Sequence, residues 1–172
     1  MSKNRIFCAV DTPDLQTAKN LAAQIAPVTG AVKLGLEFFN ANGPQGLCAV
    51  LGDMPDTDLF VDLKYHDIPN TVAGAIRSLC GHVTPAYLNV HGSGGADMMK
   101  AARDACPPET GLLAVTVLTS LDVKSLHAIG FQGSPDDIVL RIAELARLSG
   151  LDGVVCSAHE VERLRRECGP EF

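Results

Sequence analysis

No apolar run in this chain approaches the ~18 residues that a membrane-spanning helix needs. The start, Met-Ser-Lys-Asn-Arg followed by Ile-Phe-Cys-Ala-Val-Asp, holds too short an apolar stretch for a secretory signal. There is no Cys-x-x-Cys pair among Cys8, Cys48, Cys80, Cys106, Cys156 and Cys168. The histidines (His66, His82, His91, His127 and His159) are equally dispersed, which speaks against a zinc site. Several cysteines fall in apolar, strand-like runs, so they read as reduced core thiols of a cytoplasmic protein rather than disulfide partners. Positive charge is in deficit: 14 Lys and Arg against 20 Asp and Glu leave a net charge of −6. That balance disfavours nucleic acid as a general partner. An anionic small substrate stays open, provided a local pocket of positive charge receives it. No Gly-x-Gly-x-x-Gly follows the first strand-like run, which weakens a dinucleotide-binding reading.

What is there is a globular balance of 47% hydrophobic and 20% charged residues, in a length that fits one domain with a sizeable core. Short apolar, β-branched runs predict strands near 5–11, 31–36, 58–64, 86–91, 111–118 and 151–157. Amphipathic stretches fill the gaps. Thr12-Pro13 opens a helix whose Leu15, Ala18, Ala22 and Ile25 share a face, and Pro27 is expected to stop it. Ser134-Pro135 opens another, with Ile138, Ile142 and Leu145 inward and an end at Ser149-Gly150. Ser157 and Glu160 form a capping box ahead of Val161, Leu164 and Cys168. Six strand–helix units of about 29 residues each match the βαβ module, which builds either a doubly wound sheet or a (β/α)8 barrel. Asp11, Lys33, the Asp62/Lys64 pair, His91 and Thr119 all fall at or near C-terminal ends of different strands. A barrel would gather such positions at one mouth, so the expectation is a (β/α)8 TIM barrel, with about six βα units present in a single domain over 1–172. A barrel usually takes about 250 residues, and this chain stops where a seventh strand should begin, so it looks cut short.

The most informative segment is Asp62-Leu63-Lys64-Tyr65-His66-Asp67-Ile68-Pro69-Asn70-Thr71. Alternation on a strand sends residues 62 and 64 to the same face. Asp67 lies just past the strand end, where Pro69 can open a helix. Buried charges need partners, so such a cluster is either a structural ion pair or a working site, and the second reading is preferred. Lys33 inside an apolar strand likewise needs a partner. Asp11 before Thr12-Pro13 reads equally well as a strand terminator. His91-Gly92-Ser93-Gly94-Gly95 reads as a turn feeding a helix in preference to a phosphate cradle. Thr119 and Ser120 read as caps, and His66 stays unassigned.

Together these residues carry a resemblance. The chain resembles the orotidine 5′-phosphate decarboxylase family through Ala9-Val10-Asp11, Lys33-Leu34-Gly35, Asp62 to Thr71, Asn89-Val90-His91 with Ser93-Gly94-Gly95, Val115 to Ser120, and Gly153 to Ser157. Asp-x-Lys-x-x-Asp is shared with related sugar-phosphate enzymes, whereas Ile-Pro-Asn-Thr after it marks the orotidylate branch. The resemblance implies a homodimeric TIM barrel that converts orotidine 5′-phosphate to UMP in pyrimidine biosynthesis, with no metal and no organic cofactor. It implies Lys64 as proton donor to C6, Asp62 against the departing carboxylate, and Lys33 in a charged chain with both. Asp67 and Thr71 would be contributed across the subunit interface. Asp11 and Thr119 would touch the ribose or base, and Ile68 would join the substrate contacts. The resemblance also implies phosphate-binding elements after the sixth strand, beyond these 172 residues. Two alternatives accompany this expectation: a magnesium-dependent sugar-phosphate decarboxylase or synthase of the same suprafamily, and an inactive fragment of the decarboxylase.

Overall fold

The computed structural model describes residues 6–52 and 54–172. Six strands alternate with helices: β1 (Cys8–Ala9), β2 (Ala31–Gly35), β3 (Asp58–Tyr65), β4 (Tyr87–His91), β5 (Gly111–Val115) and β6 (Gly153–Val155). The helices are α1 (Leu15–Thr29), α2 (Leu36–Leu51), α3 (Pro69–Cys80), α4 (Ala96–Ala105), α5 (Val123–Ala128), α6 (Pro135–Leu148) and α7 (Val161–Cys168). The strands lie in one sheet in chain order, β1-β2-β3-β4-β5-β6. A doubly wound sheet reverses its strand order at a switch point; this one does not, and unbroken order is what a (β/α) barrel requires.

Every expected strand is present; most are shorter than expected, while β3 runs one residue further, to Tyr65. Regular pairing in β1 covers only Cys8 and Ala9, against Val32 and Lys33, and Val10 N–H adds a bond to the Lys33 carbonyl at 2.9 Å. Arg5, the first residue of the expected strand, lies outside the described residues. β5 stops at Val115 rather than 118, although just past it Thr116 still gives both its amide and its hydroxyl to the Val155 carbonyl of β6 (3.2 and 3.0 Å). The helix signals fare unevenly. Asp14, not Thr12-Pro13, caps α1 through Thr17 N–H (2.7 Å), which holds the Asp14 carboxyl below its usual range. Pro27 does not stop α1; it is exposed inside the last turns, and the helix closes at Gly30. Only Gly30 has the left-handed φ of 69° that lets its N–H reach back to the Ala26 carbonyl, at 2.7 Å. Ser134 caps α6 with Pro135 in its first turn, and the Ser157/Glu160 capping box forms as read. Leu164 and Cys168 are buried beyond it, but Val161 is exposed.

The chain divides into two compact units. One runs through Leu63 and includes Gly74–Asn89 and Ala105–Gly111. Its core takes one face of β3 (Leu59, Val61 and Leu63) with Val32 and Leu34 of β2, Ala18 and Ala22 of α1, Phe38 and Leu47 of α2, and Ile76 of α3. Each fully buried Leu or Val contributes about 1.5–3 kcal/mol relative to exposure. The opposite, half-buried face of β3 carries Asp58, Phe60 and Asp62, which is the alternation expected of a strand. At one end Phe7, Phe60 and Tyr87 stack edge to face with centroids 5.5–6.3 Å apart.

The other unit comprises Lys64–Ala73, Val90–Asp104 and Leu112–Phe172. Here α6 is the hub, packing Val139 and Ala143 with Leu164 and Cys168 of α7, and Ile138 and Ile142 with Leu126 of α5. Asp152 accepts from Arg103 Nη1 at 2.6 Å and from Leu112 N–H at 2.7 Å, tying α4 to the start of β5.

Candidate active site

Two polar clusters, one in each unit, hold most of the residues singled out from sequence; Thr71 and Thr119 are placed in neither. In the first, Lys33 is the half-buried position of β2, between buried Val32 and Leu34. Its ammonium lies 3.1 Å from Asp62 Oδ2 on β3, with side-chain exposures of 21% and 13%, so this pair is largely withdrawn from water. In the sheet register Lys33 stands opposite Phe60 and Gly35 opposite Asp62, so the lysine stem reaches two residues forward to its partner. Asp11, just past β1, is 3.9 Å from the same ammonium but 66% exposed, a contact that solvent screens. The second oxygen of Asp62 accepts from Asn89 Nδ2 of β4 at 2.7 Å. Asp62 therefore has a donor on each oxygen. Asn89 belongs to the matched motif, yet sequence reasoning gave it no role; the signal was an amide in the middle of an otherwise apolar strand.

The second cluster begins two residues further along β3. Lys64 has φ of +51°, the left-handed region, and it is the sole non-glycine residue there among the described residues. For a residue with a Cβ this conformation costs roughly 1–2 kcal/mol and persists where surrounding structure imposes it, often at working sites. His66 and His91 approach with ring centroids 5.4 Å apart. Burial, reinforced by the charges of His66 and Lys64, pushes the His91 pKa down, so its ring favours the neutral form. His66, Asp67, Ile68, Pro69, Ser93 and Gly94 line an open cleft of about 470 Å³. Asp67 Oδ1 accepts from Ile68 N–H at 2.6 Å and sets the turn before Pro69 opens α3. Asp67, Ile68 and Thr71 are all exposed, Ile68 at 67%. Thr119 is exposed in a turn four residues past β5, and the cap of α5 is Asp122 rather than Thr119 or Ser120.

The His91-to-Gly95 segment behaves as a strand-to-helix connection. Gly92 to Gly94 form a 3₁₀ turn, and a Cβ on Gly92 would come within 2.3 Å of Ile142 Cγ2. A Cβ on Gly94 would meet Met98 Cε at 2.1 Å, so close packing accounts for both glycines.

Residues 4–172 match the family model described as Orotidine 5'-phosphate decarboxylase / HUMPS family. An orotidine 5'-phosphate decarboxylase of Thermobifida fusca is 49% identical over 96% of this chain and 70% of its own length. One from Sphingopyxis alaskensis is 50% identical over 94% of this chain and 70% of its length. The crystal structure of the Lactobacillus acidophilus orotidine 5'-phosphate decarboxylase superposes with a TM-score of 0.86 at 30% identity, covering 99% of this chain and 79% of that one. The fold is thus of the (β/α)8-barrel class, six βα units of which lie on this chain. The chain belongs to the orotidine 5′-phosphate decarboxylase / HUMPS family and is a carboxy-lyase.

Proposed function

We propose that this chain decarboxylates orotidine 5′-phosphate to UMP by electrostatic catalysis with lysine and aspartate side chains. Breaking the bond between C6 and the carboxylate releases CO2 and leaves the electron pair on C6, with little resonance to spread it. An ammonium held at that carbon stabilises the charge as it develops and then supplies the proton. Lys64 is that donor: one Nζ–H proton passes to C6, and the neutral amine regains a proton from water. Asp62 faces the departing carboxylate, Lys33 holds Asp62, and Asp11, Asp67, Ile68, Thr71 and Thr119 contact the substrate. No metal or organic cofactor takes part.

The observation that carries the reading is the withdrawn Lys33–Asp62 pair followed, two residues on, by a lysine in a strained backbone conformation. A stabilising ion pair alone gives no reason for a strained lysine beside it in sequence. The exposed Asp67, Ile68 and Thr71 support a homodimer in which Asp67 and Thr71 serve the partner's site. The units interleave along the chain, which supports a single domain over 1–172. A cytoplasmic location fits the dispersed cysteines, and no helix among the described residues is long and apolar enough to cross a membrane.

Ultraviolet-monitored decarboxylation with EDTA present tests the proposal directly. The chain should turn over substrate, and Lys64→Ala should abolish turnover while keeping the circular dichroism spectrum. Near-native activity in Lys64→Ala would sink the assignment.

A further inference from the structure

Strand β4 carries an asparagine where its surroundings call for an apolar side chain. Leu88, Asn89 and Val90 are all fully buried, and strands covered on both faces ordinarily read as runs of Val, Ile and Leu. A buried amide is unfavourable unless its hydrogen bonds are met, so this one has a specific partner to explain it. That partner is Asp62. An ionised carboxylate only accepts, so the 2.7 Å contact sets the amide with its NH2 towards Asp62 Oδ1. Lys33 Nζ meets Oδ2 at 3.1 Å from β2, the strand on the other side of β3. A lysine is a point donor on a flexible stem and constrains a carboxylate's rotation less than a rigid donor does. The buried Asn89 amide supplies such a rigid donor.

We propose that Asn89 is a positioning residue for the decarboxylation, acting through Asp62. Its amide stabilises the ionised form of Asp62 and, with Lys33 on the other oxygen, fixes the carboxylate's rotation, so that the charge stays aimed at the reacting group. This rests on the proposed role of Asp62, and the test separates the two. In chain labelled with carboxyl-¹³C aspartate, Asn89→Leu should raise the Asp62 titration midpoint by about one pH unit or more, because a hydrogen bond to the charged form has gone. An unchanged midpoint in a folded Asn89→Leu overturns the inference. Should that variant fail to fold, Asn89→Asp, which keeps the shape, puts a second carboxylate at the contact. The two should then titrate as a coupled pair with well-separated midpoints, and independent titrations near the ordinary range overturn it. In turnover, Asn89→Leu should lower kcat by up to about 100-fold. The Kd for UMP, which has no carboxylate on C6, should stay within about twofold under the same logic. Equal losses of kcat and of UMP affinity would mark Asn89 as merely structural. A wild-type chain without turnover would refute the proposed function and leave the titration test standing.

Discussion

Replacing Lys33 by methionine isolates the pair on which the first cluster is built. At 3.1 Å and an effective dielectric of ~20, the Lys33–Asp62 attraction is about 5 kcal/mol before desolvation is subtracted. Removing one partner of a buried pair typically costs about 3–5 kcal/mol, because the remaining charge stays buried alone. Residual exposure of 13% at Asp62, and the amide that Asn89 still gives it, bring the expectation down to about 2–3 kcal/mol at pH 7. For a chain of this size that is a fall in Tm of roughly 5–10 °C, readable by circular dichroism. Two controls follow from the same reasoning. The deficit should narrow as pH falls, because protonating Asp62 removes the charge that Lys33 balanced. Adding Asp62→Asn to Lys33→Met should restore most of the loss, because no charge remains and Asn89 keeps an acceptor. Lys33→Met as stable as the parent at pH 7, or a deficit unchanged by acid and by the second substitution, would refute the argument.

Two further expectations bear on the second cluster. Lys64→Gly should be more stable than Lys64→Ala by about 1 kcal/mol in urea denaturation, since only glycine relieves the left-handed backbone; equal stabilities would mean the strain is not there. His91 has a folded-state pKa below its unfolded value of about 6.5, so the unfolded chain binds the extra proton first. Its contribution is present above that pH and lost as pH falls through it. Stability should therefore decline from pH 7 to 5, and His91→Gln should decline less; parallel pH curves for the two proteins would contradict the burial of His91.

Periodicity and punctuation in the sequence determined the succession of elements. Six apolar runs became six strands because β-branched segments bounded by turn residues have few alternatives. Ser134-Pro135 and Ser157/Glu160 capped helices because those interactions close within four residues. The charged residues of the site were legible for a related reason: Lys33 and Asp62 in apolar strands had to find partners, and they found each other. Local signals failed where a competing local geometry won. Pro27 looked like a stop, but the residue able to close α1 was the glycine three positions later.

Only the tertiary structure decided what depends on neighbours distant in sequence. It brought Asn89 onto Asp62 across 27 positions, set His91 against His66, and made Gly92 obligatory because Ile142 occupies the space of its Cβ. It also put Lys64 into a backbone conformation that no lysine adopts by preference. Propensity and alternation act over a few residues, whereas these arrangements depend on strand register and on packing between elements that the chain order alone does not encode.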